Sequence, residues 1–222
     1  MPRIIIADSS TPAHAEGIKA AISGGYGSDI SADIEIYPWD LAPSIAYARS
    51  VGAIAVVHSY VGVENHIVDA EAGYPELQCF MPLGSNSHVE LTALQSVPII
   101  ITCGAGIEQN DTAYGMGLEF WDAPDLVSSN SNGTICGKLL RVRDSLLCTW
   151  WEARYRARMT ASGHGAWDKF NGYGVIDIAG AIGFGGQISP DPYRSSVSDS
   201  LVLVRLRALD LARAAFEALS FE

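Results

Sequence analysis

The sequence predicts an α/β domain with three α/β/α layers on a doubly wound, mostly parallel sheet, and two observations carry this. Short β-branched runs alternate with Ala-rich helical patterns along the first half of the chain, which is the rhythm of strands joined by crossover helices. Each run is short, and nearly continuous in apolar residues where a central strand, covered on both faces, should be.

The candidate strands are residues 3–7, 33–37, 53–58 and 98–103. Apolar residues at helical spacing mark residues 14–23 and 42–50, and a weaker pattern marks 87–95. Right-handed crossovers between such strands place a ligand crevice at their C-terminal edge, so the residues that end each strand matter most. Residues 61–84 (VGVENHIVDAEAGYPELQCFMPLG) break the rhythm and read as an excursion at that edge. Thr149 suits the N-cap of a helix over 150–159, followed by a Gly-rich turn and a segment over 175–182. Near the end, Leu206, Leu209, Ala212, Phe216 and Leu219 fall near one helical face. The expected organisation is therefore a domain over 1–185 and a helical appendage over 186–222, packed on that domain or on a partner.

Composition narrows the function. The 222 residues suit one domain with a large core, and 48% apolar against 18% charged residues, with 22 Gly and 10 Pro, is the profile of a compact, tightly turned protein. Fourteen Lys plus Arg against 25 Asp plus Glu give a formal charge of -11, which argues against nucleic acid and anionic membranes as partners. Cys79, Cys103, Cys136 and Cys148 have no CxxC spacing, the usage of free thiols in a reducing compartment. No secretion signal follows Met1, and no stretch approaches the roughly 20 apolar residues of a membrane span. The expected location is cytoplasmic or within a larger particle.

Motif order is more specific. Asn132-Gly133-Thr134 opens a helix, a second helix follows with Trp150 near its start, and Gly172-Tyr173-Gly174-Val175-Ile176-Asp177 closes the series with Ala181 beyond it. Upstream lie IIIAD (residues 4–8), VVHSYVG (56–62) and IIITCGAG (99–106). This order resembles the subtilisin-like serine proteases, the subtilases, over most of residues 3–182. The resemblance implies a subtilisin-like fold and a site made of a serine, a histidine, an aspartate and an oxyanion donor. Asp8 matches the aspartate, and His14, or Thr11 one turn earlier, the histidine. Ile107 stands at the oxyanion asparagine and Ile135 at the serine. Ser59, Tyr60, Gly62, Gly104 and Gly106 match the substrate-lining cleft.

Two isoleucines at those positions imply an inactive enzyme, since losing one oxyanion donor alone costs about 3 to 4 kcal/mol of barrier. The helix that carries Lys138, Arg141 and Arg143 is expected to be incompletely enclosed, because buried unpaired cations are costly. Cys136 neighbours the missing serine, but adjacent helical residues point about 100° apart. Asp8-Ser9-Ser10 resembles the nucleophile turn of SGNH hydrolases, with Glu108 to Asp111 similar to their Gly-x-Asn-Asp. The Asp-x-x-His that this family also needs is missing near His164. His58, His66 and His88, with Glu64, Asp69 and Glu71, lack metal-ligand spacing, and neither metal nor cofactor is expected.

The leading expectation is an inactive subtilase-like pseudoprotease. It would serve as a structural or interaction subunit through a protein partner or self-assembly, within a virus particle or another large assembly. The alternative is a serine hydrolase or esterase with relocated catalytic residues, Ser9 or Ser10 being the nucleophile.

Overall fold

The computed structural model describes residues 2–8, 10–27, 30, 32–38, 42–59, 76–82, 90–91, 100–105, 114–115, 118–122 and 128–191. The chain divides into compact units at Met1–Ile188 and Ser189–Glu222. The apolar stripe expected over residues 206–219 lies outside the described residues.

The first strand, β1 (Arg3–Ala7), is buried through Ile4, Ile5, Ile6 and Ala7 and feeds α1 (Pro12–Tyr26). That helix starts where it does for local reasons. Thr11 is extended, its hydroxyl accepts from the His14 amide, and Pro12 occupies the first turn, where its missing N–H costs nothing. Gly27, at φ 108°, ends the helix in a conformation that side chains resist. The expected helix over 14–23 is thus longer at both ends.

Next come β2 (Asp33–Tyr37), α2 (Ala42–Ser50), β3 (Ala55–His58), β4 (Gln78–Pro82), β5 (Glu90–Leu91), β6 (Ile100–Ala105), β7 (Tyr114–Gly115) and β8 (Phe120–Asp122). Three helices follow: α3 (Ser128–Leu146), α4 (Trp150–Thr160) and α5 (Ile178–Gly183). Among the described residues the main sheet has six strands in the order β2-β1-β3-β4-β6-β8, every pairing parallel. The direction of winding reverses between β1 and β3, so the topological switch point lies beside the end of β1.

Two expectations are corrected. Strand β4 lies inside the span read as an excursion and is a fully buried interior strand. It opens on Gln78 and closes on Pro82, which leaves too few apolar residues for a periodicity signal. Glu90–Leu91, inside the expected helix over 87–95, is a short strand paired with Tyr114–Gly115; the rest of that span lies outside the described residues.

On one face of the sheet, Ile4, Ile6, Ala55, Val57, Phe80 and Phe120 form a continuous core with Ile18 and Ile22 of α1 and with Ile135, Cys136, Leu139 and Leu140 of α3. Side chains alternate across a strand, so Ile5 and Val56 face the other way. α2 packs against their strands. The helix α3 is buried over residues 131–133 and 135–137, whereas Lys138 and Arg143 are partly buried and Arg141 is exposed, as the cations suggested, and each of the three has a partner. Lys138 pairs with Asp122, Arg141 lies 5.4 Å from the centre of the Tyr26 ring, and Arg143 lies 5.3 Å from that of Trp150.

Thr149 caps α4 through a reciprocal capping box with Glu152, as the sequence suggested. The Gly172-Tyr173-Gly174 turn docks on β8, with Tyr173 N–H donating to the Glu119 carbonyl at 2.7 Å and Trp121 N–H to Gly174 at 3.2 Å. Both glycines have positive φ, and a Cβ on Gly172 would lie 2.3 Å from the Glu119 carbonyl oxygen. A side chain at Gly172 would lift the turn off the sheet, and one at Gly174 would collide with Ser162, its Cβ lying 2.1 Å from the hydroxyl.

Candidate active site

Asp8 follows directly from β1, at the C-terminal edge of the sheet. Its amide donates to the Tyr37 carbonyl at 3.1 Å, which continues the β1–β2 ladder and fixes the residue's backbone. The side chain is buried, and its two oxygens have different partners. Oδ1 accepts from the Ser10 amide at 2.8 Å and from the Ser10 hydroxyl at 2.7 Å, while Oδ2 lies 2.6 Å from His14 Nδ1. Burial pushes the Asp8 carboxyl upward, but the Ser10 hydrogen bonds and then the His14 imidazole outweigh it and hold the group below its ordinary value. Asp8 is therefore an ionised acceptor at neutral pH.

His14 occupies the first turn of α1 and reaches from Asp8 across to α3. Its Nε2 lies 2.8 Å from Ser129 Oγ. Aspartate, imidazole and hydroxyl thus form one hydrogen-bonded line, with the outer imidazole nitrogen facing the hydroxyl. Thr11, the other candidate for the histidine position, is the cap beneath it.

The placement of Ser129 explains the polar sequence SSNSNG. Ser131 Oγ donates to the Asp122 carbonyl at the end of β8, and Asn132 Nδ2 donates to the His58 carbonyl at the end of β3. These bonds fasten the first turns of α3 to the sheet edge, with His58 the register partner of Ala7. Asn132-Gly133-Thr134 does not open the helix, as the sequence reading had it; the helix is already running from Ser128.

Ile135 is accordingly corrected. It lies six residues after Ser129, or about 9 Å further along the helix axis, and is fully buried in the core. The residue facing His14 is Ser129. Cys136 is enclosed in the same core, where burial pushes its thiol far above the ordinary range.

The remaining predicted residues divide. Ser59 follows β3, and its amide donates to the Ala7 carbonyl at 3.1 Å, one residue before Asp8. Gly104 is part of β6, opposite Trp121. Ser10 joins the site through Asp8 and His14. Ser9, Tyr60, Gly62, Gly106 and Ile107 lie outside the described residues, as do His66, His88, Glu64, Asp69, Glu71 and Glu108 to Asp111. Among the described residues, no cluster of His, Cys, Asp and Glu could hold a metal ion, and no helix is long and apolar enough to cross a membrane.

A signal for Ser129 was present in the sequence. His14, Ile18 and Ile22 recur every four residues, as do Ser129, Gly133 and Gly137, which is the complementary large and small spacing of two closely packed parallel helices. Aligning the two series pairs His14 with Ser129.

Neither a protein-family model nor a curated protein matches the sequence. Solved structures do match the fold. A MycP1 structure from Mycobacterium smegmatis aligns over 85% of this chain and 81% of its own at a TM-score of 0.65 and 13% identity. Apa1, a psychrophilic subtilisin-like protease from Pseudoalteromonas sp. AS-11, aligns over 82% and 92% at 0.64 and 9% identity. A structure of the periplasmic assembly from the ESX-5 inner membrane complex aligns over 86% and 81% at 0.62 and 12% identity. The chain has the subtilisin-like α/β fold.

Proposed function

We propose that the chain is a serine hydrolase in which Ser129 is the nucleophile, His14 the general base and Asp8 the group that orients His14. The observation that carries this reading is the line Asp8 Oδ2 to His14 Nδ1 at 2.6 Å and His14 Nε2 to Ser129 Oγ at 2.8 Å. Its chemistry follows from the roles each group can take. Nε2 accepts the Ser129 proton as Oγ attacks a substrate carbonyl carbon, and Asp8 offsets the charge of the resulting imidazolium. Nε2–H then gives that proton to the leaving group, the C–X bond breaks, and an ester to Ser129 remains. Water, deprotonated by the same nitrogen, hydrolyses that ester and restores the serine. Ser129 also lies in the first turn of a helix, where backbone N–H groups lack intrahelical acceptors and the helix dipole favours developing negative charge.

Ser129 is favoured over Ser10, whose hydroxyl is committed to Asp8 and faces the imidazole nitrogen that Asp8 already holds. The substrate class we infer is peptide, since neighbours of this fold include a subtilisin-like protease. An extended chain would add along the sheet edge near Ser59 and Gly104.

The competing reading is a subtilase-like scaffold acting as a structural or interaction subunit without catalysis. It draws support from the occurrence of this fold in the ESX-5 assembly. A fluorophosphonate probe separates the two. Stoichiometric labelling that disappears in Ser129→Ala and persists in Ser10→Ala is expected of the hydrolase. A folded wild-type protein that takes up no probe would overturn it in favour of the subunit.

A further inference from the structure

The Ser10 hydroxyl has two partners that already touch each other. Ser10 Oγ is 2.7 Å from Asp8 Oδ1 and 3.0 Å from His14 Nδ1, while Nδ1 is 2.6 Å from Asp8 Oδ2. The three groups close a ring. We propose that Ser10 is a positioning residue that fixes the tautomer of His14, and this inference rests on the reading of Asp8, His14 and Ser129 as the catalytic line.

A hydroxyl has one proton to donate, and the ionised carboxylate is the strongest acceptor within its reach. With that proton on Asp8 Oδ1, the oxygen presents a lone pair to Nδ1. Nδ1 then faces two acceptors, Asp8 Oδ2 and Ser10 Oγ, and both require it to carry hydrogen. In the other tautomer its lone pair would oppose a carboxylate oxygen, and Ser10 could relieve this only by giving up its bond to Asp8. The ring therefore keeps hydrogen on Nδ1 and the lone pair on Nε2, where Ser129 lies 2.8 Å away. Ser10 acts through His14 and does not touch the reacting atoms. Its amide would hold Asp8 even without the hydroxyl, so removing the side chain isolates the tautomer effect. Among the described residues, Asp8 on the β1 side is the ionisable group in contact with the imidazole, and Ser10 and Ser129 are its neutral partners.

The test uses the full chain labelled with ¹⁵N at histidine, with His14 identified by the signal lost in His14→Ala. In the wild type the neutral imidazole should show shifts of a single Nδ1–H tautomer. In Ser10→Ala a mixed-tautomer shift should appear, because one of the two acceptors facing Nδ1 is gone. Ser10→Thr should restore the single tautomer. An identical tautomer in wild type and Ser10→Ala would overturn the proposal. The fluorophosphonate rate is read separately, and a several-fold slower reaction in Ser10→Ala with recovery in Ser10→Thr is expected. Absence of labelling in the wild type would sink the hydrolase reading, whereas the spectra still decide the role of Ser10.

Discussion

At the residue scale, the difference between Ile135 and Ser129 is a matter of phase along one helix. A Ser-Asn-rich segment before an Asn-Gly-Thr triplet looks like a loop, because Ser and Asn compete with the backbone for hydrogen bonds and favour caps and turns. Here those side chains are used differently: Ser131 and Asn132 bond carbonyls at the ends of β8 and β3, so the polar run is helix fastened to a sheet edge. The strand that leads to Asp8 was legible because it is an unmistakable apolar run, whereas the pairing of His14 with Ser129 depends on contacts 115 residues apart. One consequence concerns Asp8→Asn, which preserves shape but offers an amide that can donate to Nδ1 and so favours the wrong tautomer. Fluorophosphonate labelling should slow on the order of 10⁴-fold with the circular dichroism spectrum unchanged. A loss under tenfold would show that Asp8 does not orient His14.

At the element scale, the site depends on how closely two parallel helices approach. Along α1 and α3 the contact repeats: a Cβ on Gly133 would lie 2.8 Å from the Ile18 carbonyl oxygen, one on Gly137 2.1 Å from that of Ile22, and one on Gly25 2.2 Å from that of Thr134. The helices therefore touch backbone to backbone, and Tyr26 Oη donates to Asp144 near their far ends. This approach sets the distance from His14 to Ser129. Gly137→Ala should force the helices apart, costing about 1 to 3 kcal/mol of stability. A displacement of about 1 Å at the site should slow labelling on the order of 10²-fold. Gly24→Ala is the control, since nothing lies within 4 Å of its added methyl, and it should raise stability by roughly 0.5 to 1 kcal/mol. Equal labelling rates in the two variants would rule out helix spacing as the determinant. Periodicity gave β1, β2 and α2 nearly to the residue, because each is apolar at its proper period. Strand β4 escaped notice because neighbours bury it while its own ends are Gln78 and Pro82.

At the scale of the whole molecule, an ionic cluster lies beside β8, the strand furthest from β2 among the described residues of the sheet. Glu119, just before β8, is buried with Arg154 of α4, which donates through Nε at 2.6 Å and also through its terminal nitrogen. Arg158 adds a third bond at 2.8 Å, and its guanidinium lies 5.2 Å from the centre of the Tyr173 ring. The cluster joins the last strand to α4 and to the Gly172-Tyr173-Gly174 turn, so it links the final part of the domain to the sheet. Burial pushes the Glu119 carboxyl upward, but Arg154 and Arg158 outweigh it and hold the group below its ordinary value. A carboxyl whose folded pKa is depressed contributes stability above its unfolded pKa, near 4.3 for Glu, and loses it as pH falls through the folded value. Asp8 is shifted in the same direction, so both oppose acid unfolding until the lower folded values are reached. Glu119→Gln removes that contribution and takes the carboxylate that Arg154 and Arg158 share out of the buried cluster, a loss of about 3 to 5 kcal/mol at neutral pH. Thermal melts of wild type and Glu119→Gln should accordingly be far apart at pH 7 and converge as the pH drops below the ordinary carboxylate range. A separation that stays constant with pH would mean that Glu119 acts through packing alone and that Arg154 and Arg158 do not hold its carboxyl below the ordinary value.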